Sequence, residues 1–283
     1  MAFSSLDDAV FALSAGLLYR VGISVRRRNL TWTADSQDSW EPLNCFVLVT
    51  ERDAVFLDTG VRSARRQVEQ ALRQLAPQLR VSVFPSRNEP DCIGNLGTVL
   101  AHAENTALLF GGGGGILEWI SDPNVDEMQD SSFLGRREIV PALNGMETTF
   151  GEDLHFHWID APVKQMFLTQ WAYEESSATL FSSDFFGWVH TDDENAAVVC
   201  SDIALLPPAA EIAREIPQRF NWIPGAHCDE VLAAYDAVVA AYRVDRIAPV
   251  HGCVISGADV VAEMFRRTRD ALTSLIARTE ENL

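Results

Sequence analysis

The chain has 283 residues, of which 47% are hydrophobic, and it carries a formal net charge of −18 at pH 7. This length and apolar content are enough for one large domain or two small ones with a sizeable core. The negative charge repels phosphate backbones and anionic lipid headgroups, so we expect neither nucleic acid nor a membrane as a partner.

The cysteines and the N-terminal segment indicate the compartment. The five cysteines are scattered over the chain, at Cys45, Cys92, Cys200, Cys228 and Cys253. An odd, dispersed set is not typical of a disulfide framework and suits a reducing compartment. The apolar stretch AVFALSAGLL is too short to span a bilayer and has no positive segment before it, so no signal peptide is expected. We therefore predict a cytoplasmic protein.

The first part of the chain predicts strands mixed with helices. Two stretches have apolar residues at helical spacing, SARRQVEQALRQLA and IGNLGTVLAHAEN. The predicted strands are short and rich in β-branched or aromatic residues. They are LLYRVGISV, NCFVLVT, AVFLDTG, LRVSVFPS and TALLFGG.

Residues 121–150 are polar and predict an irregular segment. Four further strands are predicted after it, LHFHWIDAP, MFLTQWAYEE, ATLFSSDFFG and RIAPVHG, and the last eighty residues are mostly helical. Strands and helices follow each other without strict βαβ alternation, and no Pro/Gly/Ser-rich linker divides the chain. We therefore predict one α/β or α+β domain over residues 1–283, with sheets flanked by helices.

Three stretches place acids or an imidazole at the end of a predicted strand. The first is SRNEPDCIG, from Ser86 to Gly94; the others are LFSSDFFG, with Asp184, and IAPVHG, with His251. A polar side chain at a strand tip before glycine is well placed to point into a cleft, although aspartate also caps turns there.

Taken together, these stretches resemble the metallo-β-lactamase fold. Within that superfamily they are most similar to the branch of flavodiiron proteins and single-domain oxygen-binding diiron proteins. RNEPDCIG matches the branch's His-x-Glu-x-Asp-His-x-Gly motif in register, and LDTG around Asp58, SSDFFG and PVHG follow in the expected order. The resemblance implies an αββα sandwich, with two mixed sheets flanked by helices.

The resemblance also implies a set of metal ligands, four of which are kept. The kept positions are Glu89, Asp91, Asp184 and His251. Three positions that hold histidine in the branch are exchanged. The residues found there are Arg87, Cys92 and Gln165. By resemblance, the first iron loses both of its imidazoles, whereas the second keeps two carboxylates and one imidazole and gains a thiol.

These exchanges suggest at most one metal ion. An inward Arg87 guanidinium can neutralise Glu89 and Asp184 in place of the first metal; the alternative is a surface arginine in a vestigial motif. Asp91, Cys92, Asp184 and His251 form a ligand set that suits zinc or iron. The alternative for Cys92 is a small buried hydrophobic residue.

By resemblance, the function is binding or reduction of O2 or a related small oxidant, so that an active protein would be an oxidoreductase. The chain ends where flavodiiron proteins continue into a flavodoxin domain, so we expect no FMN and a separate electron donor. Diiron relatives often form head-to-tail dimers, so the resemblance also implies a homodimer. Two alternatives stay open: a metal-free sensor or interaction scaffold, and a mono-metal hydrolase.

Other candidates have simpler explanations. The glycine run from Gly111 to Gly115 lacks the context of a phosphate loop. His155 and His157 alternate along a strand and predict a solvent-facing or interface pair. His190 precedes the acidic TDDEN loop and predicts a solvated face. Cys253 is a candidate to line the pocket of His251.

The aromatic residues near the strand ends predict core packing. They are Trp171, Phe185, Phe186 and Trp188.

Overall fold

The computed structural model describes residues 10–30, 38–102, 106–110, 138–165, 169–223 and 228–280. Their first seven strands form one sheet in sequence order. The sheet is mixed, because the first pair and the third and fourth strands are antiparallel whereas the last four are parallel. The strands are β1 (Val10–Ser14), β2 (Leu18–Arg26), β3 (Trp40–Val49), β4 (Asp53–Leu57), β5 (Arg80–Phe84), β6 (Ala107–Phe110) and β7 (Ile139–Pro141).

The remaining described strands form a second mixed sheet, with the order β12-β14-β13-β11-β10-β9-β8. In it β11 is parallel to β13, whereas β13 and β14 are antiparallel. The strands are β8 (Glu147–Phe150), β9 (Leu154–Asp160), β10 (Gln170–Glu174), β11 (Thr179–Phe181), β12 (Val199–Cys200), β13 (Arg246–Ala248) and β14 (Val254–Ser256).

Among the described residues, three α-helices lie in the first half of the chain and three in the second. They are α1 (Arg65–Leu75), α2 (Pro90–Ile93), α3 (Leu96–His102), α4 (Ala209–Arg219), α5 (Cys228–Ala241) and α6 (Ala258–Glu280). Short 3-10 helices span Arg27–Asn29, Arg62–Ala64 and Ile203–Leu205. No helix within the described residues combines the length and the apolar character needed to cross a membrane.

Contacts group the chain into two compact units. The first contains Met1–Ile23, Leu43–Asp160 and Glu174–Ser177, and the second contains Ser24–Pro42, Ala161–Tyr173 and Ala178–Leu283. In the first unit, α1 buries one face: Val68 and Leu72 pack in the same core as Val47, Phe56 and other residues of the sheet. Removing such apolar surface from water is the main force that holds the helix on the sheet.

The second unit has an aromatic core, as the sequence predicts. Phe185 lies within 5.7 Å, centroid to centroid, of Trp171, Phe186, Trp188 and Phe220. Edge-to-face and tilted ring contacts of this kind add to the stabilisation from burial. This cluster lies directly under the turn that carries Asp184.

Most of the predicted elements are confirmed, with one clear correction. The predicted strands and helices of the first half correspond to β2 through β6, α1 and α3. The prediction that 121–150 is irregular is wrong for 139–141 and 147–150, which form β7 and β8; the glycine run and residues 121–137 lie outside the described residues. Strand β1 and the short strands β12 and β14 were also not predicted.

Candidate metal centre

The first polar cluster lies between β5 and the first turn of α2 and is called the Arg87 cluster, after its central cation. Arg87 is buried, with 1% of its side chain exposed. Its Nε donates to Glu89 Oε2 at 2.6 Å, and its Nη2 donates to Asp91 Oδ2. One guanidinium therefore binds both carboxylates of the EPD sequence. The fixed charge and planar fork of arginine suit it to such a double role.

Asp58 holds the other side of this cluster. It lies at the end of β4 with a positive φ of 60°, and it accepts hydrogen bonds from Ser86 N at 2.7 Å and Ser86 Oγ at 2.9 Å. Burial raises the pKa of Asp58 to about 7, against the lowering effects of the Ser86 backbone bond and the Arg87 charge. The carboxyl group thus anchors the loop that carries Arg87.

Cys92 faces Asp58 and Ser86. The residue is fully buried, its Sγ lies 3.5 Å from Ser86 Oγ, and its thiol is hydrogen-bonded to Asp58. The backbone is fixed as well, because Thr59 N and Thr59 Oγ1 both donate to the Cys92 carbonyl, at 2.6 and 2.9 Å. The Cys92 thiol therefore has two partners within its own unit, the neutral Ser86 hydroxyl and the acidic Asp58 side chain.

Gly94 explains how the LDTG turn and the EPDCIG segment approach each other. A Cβ at this position would lie 2.5 Å from the Pro90 carbonyl oxygen and 2.7 Å from that of Gly60. Such contacts are not possible for a real side chain, so only glycine allows the two segments to pack backbone to backbone.

The second polar cluster, the His251 cluster, joins the SSDFFG and PVHG turns of the second unit. Val250 N donates to the Ser183 carbonyl at 2.8 Å. A Cβ on Gly187 would lie 2.7 Å from the His251 carbonyl oxygen. Both glycine-ended turns therefore meet closely, and this contact brings Asp184 and His251 together.

His251 has a carboxylate at each ring nitrogen. Its Nδ1 lies 2.7 Å from Glu41 Oε1, and its Nε2 lies 3.3 Å from Asp184 Oδ1. All three side chains are buried, with 4% or less of each exposed. Glu41 also accepts from Arg219 Nη2 at 2.9 Å, and Arg27 Nε lies 3.6 Å from its other oxygen.

The charges of this cluster fix the state of Glu41. Burial raises the pKa of its carboxyl group, but the Arg219 charge and the hydrogen bond and charge of His251 outweigh it, so the pKa lies well below its ordinary value. Glu41 is therefore an anion over the whole physiological range.

A second buried acid continues the cluster outward. Glu215 lies 3.3 Å from Arg27 Nη2 and 3.1 Å from His190 Nε2. Burial raises its pKa, and the His190 hydrogen bond and the neighbouring cations lower it below the ordinary value. The prediction that His190 belongs to a solvated face is wrong, because its side chain is only 10% exposed, whereas Asp192, Asp193 and Glu194 are exposed.

The other predicted residues lie outside these contacts. Gln165 is exposed. His155 is exposed and half-buried His157 binds Glu175 at 2.6 Å. The Cys253 thiol lies 3.9 Å from the Ala197 carbonyl oxygen. The described cysteines Cys45, Cys92, Cys200 and Cys253 are buried and form no disulfide bond with one another.

Sequence reasoning did not find the cations and acids that surround His251. These residues are Arg27, Glu41, Glu215 and Arg219. One local signal existed for Glu41, an acid inside the otherwise apolar strand WEPLNCFVLV, where an unpaired charge is unfavourable. No comparable pattern marks the other three, which come from elements far apart in sequence.

The donor atoms differ in their suitability for a metal. In the Arg87 cluster a guanidinium already supplies the positive charge beside Glu89, and the described residues of this cluster include no imidazole, so they do not suit a metal ion. In the His251 cluster, a carboxylate oxygen and an imidazole nitrogen lie side by side. Such oxygen and nitrogen donors suit zinc and iron.

Comparison with solved structures shows the fold. Rubredoxin oxygen:oxidoreductase from Desulfovibrio gigas superposes with a TM-score of 0.67 at 13% identity, covering 96% of this chain and 61% of that protein. The flavodiiron protein from Giardia intestinalis gives 0.68 at 12% identity, covering 96% and 60%. A fragment, 1–254, of a putative diflavin flavoprotein A 5 from Nostoc sp. PCC 7120 gives 0.68 at 14% identity, covering 95% and 96%.

The cores of these flavodiiron proteins have the metallo-β-lactamase fold, and this chain shares it. The predicted α/β architecture of two mixed sheets with flanking helices is thereby confirmed. The chain spans about three fifths of the length of the Desulfovibrio and Giardia proteins. No protein-family model matches the sequence, and no curated protein is detectably similar to it.

Proposed function

We propose that this chain is a flavodiiron-like metalloprotein in which Arg87 replaces the first of two metal ions. In this proposal Asp184 and His251, both in the second unit, bind a single iron or zinc ion. The protein binds O2 or a related small oxidant there, and any reduction draws its electrons from a separate donor. The buried Arg87 guanidinium, bonded to both Glu89 and Asp91, is the observation that carries this proposal.

Charge balance supports the replacement. Glu89 and Asp91 would repel each other in a buried site without a cation, and the guanidinium supplies one permanently. A guanidinium cannot exchange electrons, so two-metal electron sharing is absent from this proposal.

The remaining donors set the chemistry. A carboxylate and an imidazole leave coordination positions open on a bound ion, and an ion held there would supply a Lewis-acidic, and with iron also a redox-active, binding position. Asp184 and His251 hold their donor atoms side by side without solvent. The aromatic residues beneath Asp184 exclude water from that side of the turn.

Metal content tests the proposal. Protein purified without a chelating tag, from cells grown with added iron or zinc, is expected to contain about one ion per chain. Asp184→Asn and His251→Ala should lose it. His155→Ala is the matched control, since that imidazole is exposed and contacts Thr149 on the surface, and it should keep the ion.

One double variant, together with the metal content of the unaltered protein, separates the alternatives. Arg87→His together with Gln165→His restores two imidazoles and should raise the content toward two ions. Two ions in the unaltered protein would contradict the role of Arg87. No ion in a folded protein would leave a metal-free scaffold, which the pairing of Asp91 with Arg87 also favours. Oxygen consumption tests whether O2 is the oxidant. Iron-loaded protein supplied with a chemical reductant should consume O2, and the His251→Ala variant should not.

A further inference from the structure

Glu41 and His251 are joined twice, through their side chains and through the backbone. The side-chain contact is the 2.7 Å hydrogen bond between Glu41 Oε1 and His251 Nδ1. The backbone contact lies one residue further along each segment, where Gly252 N donates to the Pro42 carbonyl at 2.9 Å. The strand that carries Glu41 therefore fixes the position of the turn that carries His251.

The carboxylate of Glu41 is itself held in place. Arg219 Nη2 donates to the same oxygen that contacts His251, and Arg219 in turn lies over the Trp188 ring, 5.8 Å from its centroid. Arg27 Nε approaches the second oxygen at 3.6 Å. With no exposed surface, Glu41 has no alternative rotamer in water to which it could turn.

We infer that Glu41 is a positioning residue for the metal centre. A carboxylate can only accept a hydrogen bond, so the contact with Glu41 keeps a proton on His251 Nδ1. A metal then binds at Nε2, which faces Asp184 and gives up any proton that it carries. This inference rests on the proposed function for the identity of the ligand. According to this inference, Glu41 on strand β3 sets the orientation of the His251 imidazole.

Glu41→Gln is the direct test, because it keeps the size of the side chain and removes its charge. Glu215→Gln is the matched control: it removes a charge from another buried carboxylate of the same cluster that binds Arg27 and His190. In metal-free, 15N-labelled protein, NMR of the imidazole should show a proton on Nδ1 in the unaltered chain and in Glu215→Gln. In Glu41→Gln, the Nδ1 proton should move upfield and be shared with Nε2.

Metal affinity supplies the second measurement. Titration with Zn2+ should give a Kd about 10- to 100-fold weaker in Glu41→Gln, which is the range for partners that orient a metal-binding histidine, and a Kd within about twofold of the unaltered protein in Glu215→Gln. Far-UV circular dichroism establishes that each variant is folded. If Glu41→Gln does not fold, Glu41→Asp takes its place, because the shorter side chain withdraws the carboxylate from His251. The same changes in the NMR signals and in Kd are then expected.

The outcomes separate this inference from the proposed function. A proton on Nε2 alone in the unaltered protein, an unchanged Kd in Glu41→Gln, or equal losses in both variants would overturn the role of Glu41. Absence of zinc binding in the unaltered protein would overturn the proposed function, while the NMR comparison of the metal-free chains would still decide whether Glu41 sets the imidazole proton.

Discussion

Arg87 is a charged side chain that is almost fully buried, and this is stable only because two acids share its guanidinium. Its side chain is 1% exposed, against 24% for Glu89 and 11% for Asp91. Breaking a buried ion pair by removing one partner is far more destabilising than losing a surface pair. Arg87 therefore contributes to folding in the same way as a structural cation.

Replacing Arg87 by methionine should lower the free energy of unfolding by about 3 kcal/mol, because two poorly solvated carboxylates lose their partner. Urea denaturation in the presence of a chelator measures this loss. The control is Arg65→Met, whose exposed pair with Glu69 on α1 should be worth less than about 0.5 kcal/mol. Equal, small losses in the two variants would show that the guanidinium has no such role.

Asp58 should make stability depend on pH in the direction opposite to an ordinary carboxylate. Its pKa in the folded chain is about 7, above the ordinary value of 3.8, so between these pH values the folded state binds a proton that the unfolded state has released. Its contribution to stability is therefore present below about pH 4 and declines as the pH rises to about 7.

Asp58→Asn removes this titration and keeps the shape of the side chain. Urea denaturation at several pH values gives the unfolding free energy of both proteins. The difference, unaltered protein minus variant, should fall steadily between pH 4 and pH 7. The difference also cancels the other acids, since Glu41 and Glu215 have lowered pKa values and act in the opposite sense. A difference that rises with pH would contradict the raised pKa.

At the scale of elements, glycines decide how closely the motif turns approach. Gly187 and Gly94 each have a backbone carbonyl oxygen within 2.7 Å of the position of a Cβ. The turn before Gly187 is also strained, because Ser183 and Phe186 have positive φ values of 54° and 67°. Such conformations persist where surrounding contacts, here the Val250 to Ser183 hydrogen bond, hold them.

Gly187→Ala should therefore destabilise the protein by about 1–3 kcal/mol, as overpacking does, and it should weaken metal binding because it separates His251 from the Asp184 turn. Gly145→Ala is the control: it has a positive φ of 78° but open space around its Cβ, so it measures backbone strain alone. Thermal unfolding and zinc titration check both effects. Equal effects on zinc affinity would contradict the argument from close packing.

The same scale explains how far the sequence predicts the structure. Long periodic segments such as α1, and apolar strands such as β3 and β5, have patterns that bury one face or both, so they were predicted correctly. Strands β7 and β8 are three and four residues long and contain exposed residues, so their pairing partners define them rather than any pattern of their own.

The candidate centre shows the same division. Asp184 and His251 were found because each sits in a turn whose local sequence has a recognisable form. Glu41 and Arg219 are separated by 178 positions and interact only because the fold brings β3 and α4 together. Partners of this kind carry no local pattern, so a single sequence does not reveal them.

For the whole molecule, fold and charge vary independently. The chain shares its fold with flavodiiron cores at 12–14% identity, so most of its residues differ from theirs. Burial patterns that specify a fold tolerate many sequences, whereas a metal centre needs particular donor atoms. A shared fold is therefore compatible with a changed centre.

The net charge of −18 leads to the last prediction, that moderate salt stabilises the chain. Exposed acids repel one another in the folded state, and raising the ionic strength from about 10 mM to about 150 mM shortens the screening length from about 30 Å to about 8 Å. The buried pairs around Arg87 and Glu41 are screened much less. If the relief of repulsion amounts to about 1 kcal/mol, Tm should rise by about 2–4 °C in sodium chloride.

Two charge variants test the cause of this rise. Asp192→Asn with Glu194→Gln removes two exposed negative charges. Arg66→Glu replaces a positive charge by a negative one on the exposed side of α1, so it makes the net charge more negative by two. Screening of net repulsion predicts a smaller rise in Tm for the first variant and a larger one for the second. A rise that is identical in all three proteins would instead reflect a general effect of the salt on protein hydration, and a fall in Tm would mean that attractive surface pairs outweigh the repulsion among the acids.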